Sequence, residues 1–218
     1  MAKIIDLSHP IEDGMITYTG LPGPKITDHL SREASKDHYA EGTTFQIGSI
    51  EMVANTGTYI DAPFHRYADG RDLSQFDLAS VANLDGAVFQ AVTGTRAIYP
   101  DLFQNRDVSG KAVLVHTGWD RHWSTDSYFK EHPYLTGESA EYLKSAGAVL
   151  VGIDSLNIDD NTDGTRPVHT ILLGSEIPIV EHMCHLERLP QSGFRFFAVP
   201  TPVKGMGSFP VRAFALID

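Results

Sequence analysis

Asn55-Thr56-Gly57-Thr58-Tyr59-Ile60-Asp61-Ala62-Pro63-Phe64-His65 is the stretch on which the fold and the chemistry of this chain turn. Side chains of an extended backbone alternate between two faces, so Asn55, Tyr59 and Asp61 share one of them. Gly57 falls on that same face and leaves room there. Pro63 ends any regular ladder, having no N–H to donate, and the chain then turns to present His65. Polar and titratable groups converging beside a glycine suggest a pocket floor. A half-exposed strand with its polar side in solvent fits the same alternation, and spacing alone leaves the two readings open.

A second cluster runs from His169 through Glu181 and His182 to Cys184 and His185. A histidine such as His169, taken alone, reads as readily as an ordinary surface or core residue. Glu181 at a helix start would favour the helix dipole. A helix over 180–188, ended by Pro190, would put Glu181 and His185 on one face. His182, about 100° away, would then face solvent.

Around these clusters the chain shows short apolar runs that read as buried strands: Lys3–Leu7, Phe45–Val53, Gly86–Val92, Lys111–His116, Ala148–Ile153, Arg195–Val199 and Val211–Ile217. Runs such as Ala112-Val113-Leu114-Val115 are β-branched and too short for stable helices. Thr136 can cap a helix that carries Ala140, Leu143 and Ala146 and stops at Gly147. Loops at 14–44, 64–84, 117–135 and 155–168 are rich in Gly, Pro, Asp and Ser, and loops of this length usually carry function or meet another subunit. The expectation is an α/β protein dominated by mixed sheet, with site-bearing loops and no internal repeat or linker. Its 218 residues suit a single domain spanning 1–218.

A net charge of −11 argues against nucleic acid or an anionic membrane surface as partner. No stretch of about 18 apolar residues occurs, and the first residues lack a signal-peptide run, so a cytoplasmic location is expected. The single cysteine, Cys184, cannot form an intrachain disulfide and reads as a small buried side chain. A serine-hydrolase elbow, a phosphate-cradling loop and a dinucleotide fingerprint are all missing from the sequence.

The 55–65 segment resembles the signature His-x-Gly-Thr-His-x-Asp-x-Pro-x-His of the cyclase family, which includes bacterial kynurenine formamidase and isatin hydrolase. Further pieces are similar in the expected order: IIDLSHPIEDGM near the start, LVHTGW at 114–119, VGIDSLNID at 151–159, the His169-to-Glu181 spacing, and GSFPVRAFALID at 207–218. The resemblance covers essentially the whole chain. It implies a swivelling β/β/α fold, assembly into homodimers or homotetramers, and a hydrolase acting on a small molecule. It also implies one or two divalent metals in the active site. By that resemblance Asp61, His169 and Glu181 match metal ligands, and His65 matches the histidine that moves protons.

Two positions depart from the signature. Asn55 and Tyr59 stand where the family has histidine ligands. Asparagine offers a neutral carbonyl oxygen, and tyrosine becomes a strong ligand only after losing a proton near pH 10. Zinc favours nitrogen and sulfur donors, so the substitutions weaken a family-type zinc site. Three outcomes stay open. One is an oxygen-rich site of Asn55, Asp61 and Glu181 with His169, suited to manganese, magnesium or calcium. Another is a metal-free acid–base enzyme (dehydratase, isomerase or cyclase) using Tyr59, Asp61 and His65. The last is a non-catalytic binding protein. In the metal-dependent case an activated water would cleave an amide, formamide, lactam or lactone, with His65 as proton carrier and His169 as ligand or second carrier. Thr58 would steady the oxyanion. Aromatic loop residues, Phe45 and Trp119 among them with Tyr18, Tyr39 and Trp123, would line the substrate pocket unless they serve core packing. The Gly205–Pro210 segment would be a wall near the site or simply a turn.

Overall fold

A computed structural model describes residues 2–91 and 94–217. Its strands are β1 Lys3–Asp6, β2 Lys25–Leu30, β3 Ile47–Glu51, β4 Tyr59–Asp61, β5 Leu84–Gln90, β6 Ala97–Ile98 and β7 Lys111–His116. They continue as β8 Tyr134–Leu135, β9 Leu150–Ile153, β10 Ile179–Glu181, β11 Ser192–Phe197, β12 Ser208–Pro210 and β13 Phe214–Ile217. The α-helices are α1 Arg32–Ser35, α2 Gly137–Ser145 and α3 Pro167–Gly174. This is the expected mixed α/β architecture with few helices.

Nine strands form one sheet in the order β1-β13-β11-β5-β7-β9-β10-β4-β12. Its centre, β5-β7-β9-β10, is parallel, and antiparallel pairs flank it on both sides. Parallel strands are covered on both faces, which is why the β7 run is apolar throughout. Alternate side chains of that run enter different cores. Ala112 and Leu114 join a core with Ile60, Leu150, Val180 and Phe196. Val113 and Val115 join Leu143, Val168, Leu172 and Ile179 under α2 and α3.

The sequence expectation for α2 is met at both ends. The Thr136 side chain accepts a hydrogen bond from the Ser139 N–H at 3.2 Å, and Gly147 takes φ +83° where an L-side chain is strained. The expected strands at the N-terminus, at β5, β7, β9, β11 and β13 all form, shifted at their ends by a few residues; Val92, the last residue of one, lies outside the described residues.

Several expectations are corrected, among them the loop read over 14–44, which holds β2 and α1. The helix over 180–188 does not form. Residues 179–181 are instead β10, wedged between β9 and β4, and only a short 3-10 turn, Leu186–Arg188, follows. His182 and His185 both take positive φ, which no helix accommodates. The Phe45–Val53 run gives β3, but every residue of β3 is exposed. It pairs only with β2 in a separate two-stranded sheet. The loop read over 155–168 ends early, because α3 begins at Pro167, a residue suited to the first helical position.

Candidate active site

β4 and β10 lie side by side antiparallel, with Tyr59 opposite Glu181 and Asp61 opposite Ile179. β12 flanks β4 on the other edge and sets Ser208 opposite Asp61. Residues 122 positions apart therefore meet directly. The Tyr59 hydroxyl donates to Glu181 Oε2 at 2.6 Å, and both residues are buried. Glu181 Oε1 accepts the Ile158 N–H at 2.6 Å.

His169 enters from the first turn of α3. Asp159 fixes that turn by accepting the Val168 and His169 N–H groups at 2.7 and 3.0 Å. The same carboxylate lies 2.7 Å from His169 Nδ1, which leaves Nε2 as the free ring nitrogen. Nε2 stands 3.7 Å from Asp61 Oδ2 and 3.8 Å from Glu181 Oε1.

His65 is the last residue of the 3-10 turn Pro63–His65. Its Nδ1 lies 2.8 Å from Ser208 Oγ, and Ser208 donates to Asp61 Oδ1. Ser208 thus ties the carboxylate to the imidazole. Gly207 permits this approach, since a Cβ there would collide with the His65 backbone nitrogen and Cα. Within the Gly205–Pro210 segment, Ser208–Pro210 is β12, and Ser208 is the residue that touches Asp61 and His65.

Asn55, Tyr59, His65, His169 and Glu181 line one cavity of about 300 Å³, together with Tyr18, Leu21, Arg66, Asn157 and Arg166. Asp61 is fully buried and does not itself line the cavity. Gly57 does not belong to that face. Its φ of +66° breaks the extended run, and a Cβ there would touch Ile11 instead. Thr58 is buried in backbone work: its hydroxyl donates to the His182 carbonyl at 2.6 Å and accepts the His9 N–H at 3.0 Å. It has no position from which to hold an oxyanion. Phe45 packs against Tyr39 on the exposed hairpin, and the Trp119 indole donates to the Tyr128 carbonyl; neither lines this cavity. His182, expected in solvent, is fully buried beside Tyr59 and Tyr128. His185 is exposed and faces Glu187 rather than Glu181. Cys184 is buried, and burial pushes its thiol up to about 12, as suits an inert side chain.

Electrostatics within the cluster follow from burial and pairing. Burial alone would depress the His169 imidazole, yet Asp159, Asp61 and Glu181 around it raise it to about 10. Burial would raise Asp61, but the facing His65 and His169 bring it below the ordinary carboxylate value. Burial, with Asp61 nearby, lifts Glu181 to about 7 despite His169. Tyr59 is held well above 10 by burial and by Glu181, so it stays a neutral donor.

The donor set accommodates a divalent cation. Asp61 Oδ2 is buried with no hydrogen-bond partner among the described residues, a costly state unless something else satisfies it. Asp61, His65 and His169 each offer a ligand atom within 4.8 Å of the others. Carboxylate support of the distal ring nitrogen, as Asp159 gives His169, is the usual backing for a ligating imidazole. Asp159 and Ser208 were not singled out from the sequence as site residues. Asp159 sits in the VGIDSLNID segment and Ser208 in the final one, so both lay in stretches that carried the family likeness.

The Cyclase family model matches residues 5–160. A kynurenine formamidase of Geobacillus thermodenitrificans is 31% identical over 176 residues, 80% of this chain and 81% of that one. A solved structure of a potential metal-dependent hydrolase with cyclase activity superposes with TM-score 0.81 at 25% identity, covering 100% and 99% of the two chains. An isatin hydrolase bound to thioisatinate shares the fold, with TM-score 0.83, 20% identity and coverage of 99% and 92%. A swivelling mixed sheet with a carboxylate–imidazole cavity at the β4–β10 junction defines the class. The chain belongs to the cyclase family.

Proposed function

We propose that this chain is a hydrolase that cleaves a non-peptide C–N bond of a small molecule, an amide, formamide or lactam, with a lactone as the oxygen counterpart. One observation carries the reading: His169 Nε2 stands 3.7 Å from Asp61 Oδ2 and 3.8 Å from Glu181 Oε1 in a buried corner beside a small cavity. The kynurenine formamidase relative supports the bond type. These three side chains would hold a divalent cation, with Asn55 near enough the Tyr59 hydroxyl to tune that side. One imidazole among oxygen donors suits manganese better than zinc. The cation, when bound, supplies a polarised carbonyl and hydroxide at neutral pH.

The chain's own residues do the rest. His65 presents a partly exposed ring to the cavity, with Nδ1 engaged by Ser208 and, behind it, Asp61. It would hand a proton to the leaving nitrogen. The Tyr59 hydroxyl and the Ile158 N–H hold Glu181 at its two oxygens, with Oε1 turned toward His169 Nε2 at 3.8 Å. Asp159 fixes which nitrogen of His169 is free.

The β2–β3 hairpin leaves Ile26, Phe45, Ile47 and Ile50 between 44% and 52% exposed. A lone two-stranded hairpin is marginal in water, which supports a homodimer or homotetramer in which another copy covers it. One domain over 1–218 and a reducing, cytoplasmic setting for Cys184 complete the reading. No helix among the described residues is long and apolar enough to cross a membrane.

Turnover of a panel of N-aryl formamides and lactams, with and without chelator, tests the proposal. Chelator-sensitive cleavage is expected, reduced roughly 100-fold in His65→Gln. Turnover indifferent to chelator and to Asp61→Asn would overturn it.

A further inference from the structure

Two arginines open onto the cavity, and neither has a carboxylate within ion-pair distance among the described residues, although the chain carries 28 acidic residues. Arg166 is half-buried. Its Nη1 alone is engaged, by Asn161 Oδ1 at 3.1 Å, the Asp160 carbonyl at 3.2 Å and Asn157 Oδ1 at 3.5 Å. All three acceptors are neutral. The carboxylates closest in sequence are otherwise occupied: Asp160 accepts the Thr162 N–H and hydroxyl, and Asp163 those of Thr165. Nε and Nη2 of Arg166 make no hydrogen bond among the described residues. That edge is the one through which a guanidinium grips a carboxylate with two parallel bonds.

The side chain is held in place. Asn161 Oδ1 also accepts the Tyr18 hydroxyl at 2.7 Å, so the cavity wall and Nη1 share an anchor. Arg166 itself takes φ +48° at the N-terminus of α3, three residues before His169. Arg66, one residue past His65, gives only its Nε to Thr170 Oγ1 at 3.2 Å and lies 5.4 Å from the Tyr67 ring centre. A half-buried guanidinium with its outer edge unmatched is an incomplete arrangement. A substrate anion completes it.

We infer that Arg166, assisted by Arg66, is the specificity-determining contact for a carboxylate carried by the substrate, which makes that substrate an anionic amide, formamide or lactam small enough for a cavity of about 300 Å³. The inference rests on the hydrolase reading for the scissile bond, but the anion contact stands on its own geometry. Arg166 grips the carboxylate at the mouth while the carbonyl to be attacked lies deeper, toward His169 and Glu181. Nη1 stays on the protein, so the grip costs little ordering of the side chain.

A matched pair of substrates tests it: N-formyl-2-aminobenzoate and N-formyl-2-aminobenzamide, with kcat and KM measured for wild type, Arg166→Gln, Arg166→Lys and Arg66→Gln. Benzoate and benzamide binding is measured in parallel by calorimetry. Arg166→Gln is expected to lower kcat/KM for the carboxylate substrate roughly 10- to 100-fold, mostly through KM, and at least about tenfold more than for the amide. Arg166→Lys, which keeps the charge without the fork, recovers part of that loss. Arg66→Gln shows the same selectivity with smaller size, and serves if Arg166→Gln fails to fold. Equal losses on both substrates, or unchanged benzoate binding in both glutamine variants, would overturn the inference. If wild type cleaves neither substrate yet binds benzoate through Arg166, the anion site stands and the hydrolase reading falls.

Discussion

Replacing Tyr59 by phenylalanine removes one oxygen and leaves the ring in place. That oxygen donates to Glu181 Oε2 at 2.6 Å in a region where both side chains are buried. No cavity larger than a hydroxyl forms, so the cost is that of one hydrogen bond to a carboxylate. Bonds to charged groups contribute about 1.5–3 kcal/mol, and neutral ones about 0.5–1.5. Glu181 is lifted to about 7 by burial, so the charged value applies above that pH and the neutral one well below it. The sign is consistent with linkage. A carboxyl raised in the folded state loses stability as pH rises through about 7, and without the Tyr59 donor it loses more. Urea unfolding of the chelated protein at pH 8.5 and pH 5 therefore gives a destabilisation for Tyr59→Phe that is larger at the higher pH. At pH 8.5 the loss of about 1.5–3 kcal/mol corresponds to roughly 3–12 °C in melting temperature for a chain of this size. A loss below about 0.5 kcal/mol at both pH values, or one larger at pH 5, would refute the charged Tyr59–Glu181 contact.

Other outcomes follow from neighbouring groups. Asp159→Asn removes the carboxylate behind His169 Nδ1 and should weaken divalent-cation binding about 10- to 100-fold by calorimetry; unchanged affinity would mean His169 is not a ligand. Burial, with His9 and His132 close by, lowers His182 to about 3, and burial lowers His9 to about 4. Both stay neutral when folded and charge when unfolded, so their stability contribution is complete above about pH 6.5 and is lost as pH falls toward 3–4, at up to about 1.4 kcal/mol per pH unit each. The unfolding midpoint of His182→Asn should fall less steeply over that range than that of wild type, and parallel curves would contradict it. Ile26→Thr with Ile50→Thr, cross-strand partners on the exposed hairpin, should shift the mass seen by light scattering toward monomer while leaving the fold intact; an unchanged mass would exclude the hairpin from the interface.

Much of the sheet was legible because burial on both faces leaves a local mark. The Ala112–Val115 run has no polar alternation, and it became the central strand β7. Thr136 and Gly147 marked α2 for equally local reasons. β10 was hidden because Glu181 and His185 happen to stand four apart, mimicking a helical face, while its real partners, β9 and β4, are distant in sequence. Exposure of β3 was illegible, since a run of apolar residues does not say whether its cover comes from the same chain. Within the site, Asp61, His65, His169 and Glu181 could be picked out by type and by resemblance, whereas Asp159 could not. Ser208 and Arg166 could not, because a serine after a glycine and an arginine in a polar loop acquire meaning only from the partners that folding brings or withholds.

The measurement that bears most directly on the whole account is a calorimetric titration of manganese or zinc into cation-free protein, in two buffers of different ionisation enthalpy. His169 is raised to about 10 in the cation-free cluster, so a cation that takes Nε2 must displace its proton. One cation bound per chain, roughly one to two protons released near neutral pH from His169 and Glu181, and loss of both binding and release in Asp61→Asn is the expected result. Absence of saturable binding, or binding that ignores Asp61→Asn and releases no proton, would contradict the claim that Asp61, His169 and Glu181 converge to hold a metal.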